Sequence, residues 1–149
     1  MAASSKSQKK KRGAVALSQR EYESLAEFRY ALRQFLAFSK NAAARVGLAP
    51  QQHQALLVIK GFRGDAPPTI GDLAKRMAVR HHSAVGLVDR LVAAGLAVRV
   101  SDTADKRRVS LKLTRKAENA LAQLSAANHS ELKRLSPLIR PLLAQIESD

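Results

Sequence analysis

The apolar residues between Ile70 and Leu113 change their period once, and that change limits the folds open to the chain. Ile70, Leu73, Ala74 and Met77 recur at three- and four-residue steps; after a turn at Ala78 and Val79, so do Ala84, Leu87, Val88 and Leu91. Such steps gather side chains on one face of a helix. Past Gly95 the period falls to two: Leu96, Val98 and Val100 alternate with Ala97, Arg99 and Ser101, and Val109, Leu111 and Leu113 with Ser110 and Lys112. That is the pattern of half-buried strands. The charged, turn-prone stretch from Asp102 to Arg108 reads as the hairpin tip between them. On the second helix, the face opposite the apolar stripe is left free and carries His82, Ser83, Val85, Gly86 and Arg90.

Charge says what that face meets. Lys and Arg number 26 against 12 Asp and Glu, a formal net charge of +14. An excess of this size suits a polyanion, nucleic acid above all. No apolar run is long enough to span a bilayer and no apolar signal core opens the chain, so a cytoplasmic protein with no membrane partner is expected. With no Cys, disulfides, thiol nucleophiles and thiolate zinc sites are excluded. Hydrophobic residues make up 46% of the chain but aromatics only 4%, so the core has to be built from Leu, Ala and Val, which argues against an all-β fold.

The flanks read as follows. Residues 1–13 are small, polar and basic, with too little apolar surface to offset the entropy of ordering, and are expected to be a disordered tail. Residues 14–149 read as one domain. Ser18 and Glu21 have capping-box spacing, and Leu25, Phe28, Leu32, Phe35 and Phe38 continue an apolar stripe to Val46, with Gly47 as the stop. A helix of about 28 residues is roughly 40 Å long, more than one small core covers. Pro50 opens a second helix, the loop 62–68 follows, and Thr69 with Asp72 repeats the capping signal before Ile70. Thr114 caps a fifth helix running to about Leu135. Ser136-Pro137 predicts the start of a sixth, in which Pro141 requires a kink or a restart.

The order of these elements resembles the MarR family of bacterial transcriptional regulators. Two motifs carry the resemblance: Leu73-Ala-Lys-Arg-Met-Ala-Val-Arg-His-His-Ser-Ala-Val-Gly-Leu-Val-Asp-Arg-Leu91 followed by Gly95-Leu96, and Asp105-Lys-Arg-Arg-Val-Ser-Leu-Lys-Leu-Thr114. It covers about residues 18–147. The fold it implies is mainly α with a small β-hairpin wing: a winged helix-turn-helix over about 50–113, flanked by dimerisation helices at about 19–46 and 115–147. The function it implies is that of a homodimeric repressor on pseudo-palindromic double-stranded DNA. Helix 81–94 would sit in the major groove through Arg80, His81, His82, Ser83, Val85, Gly86 and Arg90, and the wing 102–108 would reach the minor groove through Lys106, Arg107 and Arg108. A small aromatic or lipophilic effector would release it, with His53 beside the pocket.

The chain departs from the family pattern at four places. Val85 and Gly86 stand where many members carry Thr and Arg, so an Arg suited to a guanine edge is missing. Ala78 and Arg80 stand where a turn Gly and a capping Ser are frequent. Asp105 is expected to hold an Arg of the wing, and Asp89 to be structural, since a carboxylate facing phosphates would repel them. His81 and His82 diverge by about 100° as helix neighbours, which argues against a metal site. No Gly-rich phosphate loop, nucleophile elbow or paired carboxylates suggest an enzyme, and no cofactor is implied. The rival reading is a nonspecific, nucleoid-type architectural protein that coats DNA through charge alone.

Overall fold

The computed structural model describes residues 15–105 and 107–148. Helix α1 (Gln19–Arg45) is followed by α2 (Pro50–Lys60), α3 (Ile70–Met77), α4 (His81–Ala93), strands β1 (Ala97–Ser101) and β2 (Val109–Leu113), and α5 (Arg115–Glu147). The basic tail expected at residues 1–13 lies outside the described residues.

The helix ends are specified locally. At the start of α1, Ser18 Oγ accepts from the Glu21 amide at 3.3 Å and Glu21 Oε2 accepts from the Ser18 amide at 2.6 Å, the reciprocal bonds of a capping box. At its end Gly47 takes a φ of +77°, and the amides of Leu48 and Gly47 donate to the carbonyls of Ala43 and Ala44 at 2.9 and 3.0 Å. The same pair of bonds closes α4, from Leu96 to Leu91 and from Gly95 to Val92. A glycine in the left-handed region suits this cap because any Cβ there crowds the following carbonyl.

One core joins the C-terminal end of α1, α2, α3, α4, the hairpin and the N-terminal half of α5; Leu56, Leu73, Val88, Leu91, Leu111 and Leu124 are all sealed inside it. The rest of α1 and α5 run against each other beyond this core, with Ser24 and Gln145 hydrogen-bonded at 2.9 Å. Their outer faces leave Tyr22, Leu25, Leu32, Leu36, Leu143 and Ile146 exposed.

Two expectations are corrected. No sixth helix begins at Ser136: α5 continues to Glu147 with Pro137 and Pro141 inside it. Each proline removes one backbone bond, but its fixed φ near −65° is helical, so the helix continues through both while lying against α1. In the hairpin, Val98 is 43% exposed while Ala97 is 1% exposed. The register explains the inversion. Ala97 lies opposite Leu113 and Arg99 opposite Leu111, so these four share one face, on which Ala97 and Leu111 are buried and Arg99 is exposed, and Val98 and Val100 fall on the other face with Lys112 and Ser110. Leu96 belongs to the α4 cap, one residue before the alternation starts.

Candidate nucleic-acid interface

The candidate interface is built on α3, α4 and the hairpin. Thr69 Oγ1 accepts from the Asp72 amide at 3.2 Å, and Asp72 Oδ2 accepts from the Thr69 amide and hydroxyl at 2.9 and 3.0 Å. The bond from the Thr69 amide, helped by the nearby charges of Arg108 and Lys75, holds the Asp72 carboxyl below the usual carboxylate range. Helix α3 ends with the same pair of bonds as α1 and α4, from Val79 to Ala74 at 3.0 Å and from Ala78 to Lys75 at 3.3 Å. Here an alanine sits in the left-handed position, with φ 53° and ψ 42°. Arg80 then occupies the N-cap of α4 without any side-chain capping bond. The departures noted at Ala78 and Arg80 thus have physical form as a strained turn residue and an uncapped helix start.

Along α4 the predicted inward set, Ala84, Leu87, Val88 and Leu91, is buried. Arg80, His81, His82, Ser83 and Arg90 are exposed, and Val85 and Gly86 are half-buried. All seven predicted α4 residues therefore fall outside the core on one element. A cleft of about 330 Å3 lies along part of this face, lined by Gln51, Val79, His82, Ser83, Gly86 and Arg90 among others.

The hairpin tip is organised by its own carboxylates. Asp102 Oδ1 accepts from the Ala104 amide at 2.8 Å, and Asp105 Oδ1 accepts from the Arg107 amide at 3.0 Å. The expectation for Asp105 changes in kind: it holds the backbone of Arg107 and forms no ion pair with a guanidinium among the described residues. Arg107 is left exposed. Arg108 is half-buried and donates from Nη2 to the Pro67 carbonyl at 3.3 Å, so part of its work is to hold the loop before α3. Lys106 lies outside the described residues.

Asp89 is paired with Arg99 of β1. The sequence assigns Arg99 no role, because its partner lies on a different element and only the strand register brings the two together. Two further links fix α4 and the hairpin on α5: Thr114 Oγ1 donates to the Gly95 carbonyl at 2.6 Å, and Lys116 Nζ to the Ala94 carbonyl at 2.9 Å. The amide of Leu111 donates to the Pro68 carbonyl at 2.8 Å and Thr69 bridges Ser110, so the loop before α3 adds a short third rung to the sheet.

His53 is buried within α2, and burial pushes its imidazole below the ordinary histidine range, which keeps it neutral. It does not line the cleft on α4, nor a second cleft of about 440 Å3 between the end of α2, the loop 62–68 and β2. Among the described residues no group of three or more His, Asp or Glu side chains is placed to hold a metal ion, and no helix is long and apolar enough to cross a membrane.

Residues 46–108, which hold α2, α3, α4 and the first strand with the hairpin tip, match the family model described as MarR family. This segment of the chain is similar to the MarR family. Among solved structures similar to this chain is the multiple antibiotic-resistance repressor (MarR) from Listeria monocytogenes, at 25% identity and a TM-score of 0.62, over 90% of this chain and 96% of that one. A MepR variant from S. aureus bound to an oligodeoxyribonucleotide aligns at 18% identity and a TM-score of 0.63, over 83% and 90%. CouR from Rhodococcus jostii RHA1 bound to p-coumaroyl-CoA aligns at 19% identity and a TM-score of 0.66, over 88% and 94%. No curated protein sequence matches the chain. The helical order and two-strand hairpin of the chain are those of the winged-helix fold.

Proposed function

We propose that this chain is a MarR-type transcriptional regulator, a homodimeric repressor that binds pseudo-palindromic double-stranded DNA with α4 in the major groove and the hairpin tip in the minor groove. The observation that carries the reading is the outer face of α4: Arg80, His81, His82, Ser83 and Arg90 stand exposed on a helix whose other face is locked into the core. The net charge of +14 supports it, as does the oligonucleotide held by the MepR variant. Arg107, exposed on a tip braced by Asp102 and Asp105, is suited to a narrow minor groove. Lys106 and Arg108 add charge beside it.

The apolar residues left exposed along α1 and α5 support dimerisation. A second copy covering that stripe would set two α4 helices about one DNA turn apart. Release by a small aromatic or lipophilic effector is the final part of the proposal and rests on the ligand of CouR. His53, buried and neutral, would serve there only as an apolar-side wall.

Selection of bound fragments from genomic DNA, followed by competition against bulk DNA, tests the proposal. A regulator prefers its own site by about 10³ or more and yields a two-fold symmetric sequence. Binding with no preferred sequence would instead favour the nucleoid-type reading, to which Gly86 in place of a base-reading arginine lends some weight.

A further inference from the structure

Gly86 lies between His82 and Arg90 on one face of α4, at steps of four residues, so the three stack along the helix. A Cβ built on Gly86 would meet nothing nearer than Arg90 Nη1, at 3.6 Å. The guanidinium of Arg90 therefore lies back over Gly86, toward the N-terminal half of the helix, which is the direction long helical side chains take. It is exposed, and no carboxylate among the described residues pairs with it, since the neighbouring Asp89 is engaged by Arg99. In front of it opens the cleft of about 330 Å3 whose walls include Ser83 and His82.

We propose that Arg90 is the base-reading arginine of this protein: the notch at Gly86 lets its guanidinium reach one turn back along α4 and form paired hydrogen bonds to the O6 and N7 of a guanine in the major groove. The inference rests on the DNA-binding reading above. An arginine at position 86 would start from the helix surface itself. Arg90 starts one turn away and delivers its planar fork to the same region, provided that position 86 stays small. Five fixed donors and a delocalised charge suit Arg, and not Lys, to this bidentate task. Arg90 is then a specificity determinant and Gly86 its positioning partner.

The test measures binding of the full-length protein to its selected site and to single-base variants of that site. The variants are Arg90→Ala, Arg90→Lys, Gly86→Ala and Gly86→Leu, each checked for an unchanged melting temperature. Wild type should discriminate at one G·C pair in each half-site by about tenfold or more. Arg90→Ala and Arg90→Lys should both lose that discrimination while keeping it elsewhere. Gly86→Ala, whose methyl fits at ordinary contact distance, should retain it, and Gly86→Leu, which fills the notch, should lose it. Equal weakening on every sequence by Arg90→Ala, with Arg90→Lys restoring affinity, would make Arg90 a phosphate contact and overturn the inference alone. A wild type that prefers no sequence would overturn both the inference and the reading on which it rests.

Discussion

Asp89 on α4 and Arg99 on β1 form an ion pair that ties the helix bearing the candidate interface to the strand that leads into the hairpin tip. The Asp89 side chain is 60% exposed, so the pair contributes at most about 1 kcal/mol to stability. Its larger effect is orientation. Arg99→Gln and Asp89→Asn should each lower melting by no more than about 4 °C while weakening operator binding several-fold. Calorimetry and a binding isotherm on the same samples check this, and binding that is unmoved in both variants would remove orientation from the argument.

Ala78 holds a left-handed conformation that costs an L-residue about 1 to 2 kcal/mol. Ala78→Gly should relieve it, less the greater freedom of Gly in the unfolded chain, for a net gain of about 0.5 to 1 kcal/mol. Melting should rise by about 1 to 4 °C. A fall would mean that the turn is not strained.

Arg80 sits at an N-cap that it does not cap. Arg80→Ser should stabilise α4 by about 1 kcal/mol and yet weaken DNA binding, because one cation near the phosphates is lost. Opposite signs in the two measurements are the expected signature; tighter binding would take Arg80 out of the interface.

His53 gives stability a pH dependence. Its folded-state pKa is depressed by burial, while the unfolded chain protonates near pH 6.5. The contribution is full above pH 6.5 and is lost as pH falls toward the folded value, since the unfolded state then binds the extra proton. His53→Gln should flatten the decline in melting temperature between pH 7.5 and pH 5.5. An equally steep decline in the variant would assign it to other groups.

Arg107→Ala should weaken operator binding and leave the oligomeric state intact. It should also make the slope of log affinity against log salt shallower, by about 0.9 if Arg107 neutralises one phosphate. Titrations at four salt concentrations read the slope, and identical slopes would remove the hairpin tip from the contact.

The fold was legible because its elements announce themselves in short windows. Ser18 and Glu21, Thr69 and Asp72, and Gly47 and Gly95 each act within a few residues, so their helix ends can be read locally. The hairpin face was misread because alternation gives the period and not the side: Val98 and Ala97 both fit a strand, and only pairing with Leu113 decided which turned inward. Arg99 went unassigned for the same reason, since its partner Asp89 lies across two elements. That His82, Ser83, Val85, Gly86 and Arg90 fall outside the buried stripe of α4 was legible from periodicity. The reach of Arg90 over Gly86 depends on a side-chain direction that spacing does not specify.

The two prolines of α5 change what kind of object that helix is. Without their amides, the carbonyls of Lys133 and Pro137 lose their helical donors, so the backbone ladder is interrupted twice, four residues apart, between Leu135 and the end. The first half is bolted to the core through Leu121 and Leu124, and the last turns are carried by α1 through Ser24 and Gln145. Although α5 has one axis, it is in cohesion two rods in series, and the joint between them lies where the winged part gives way to the paired ends of the long helices.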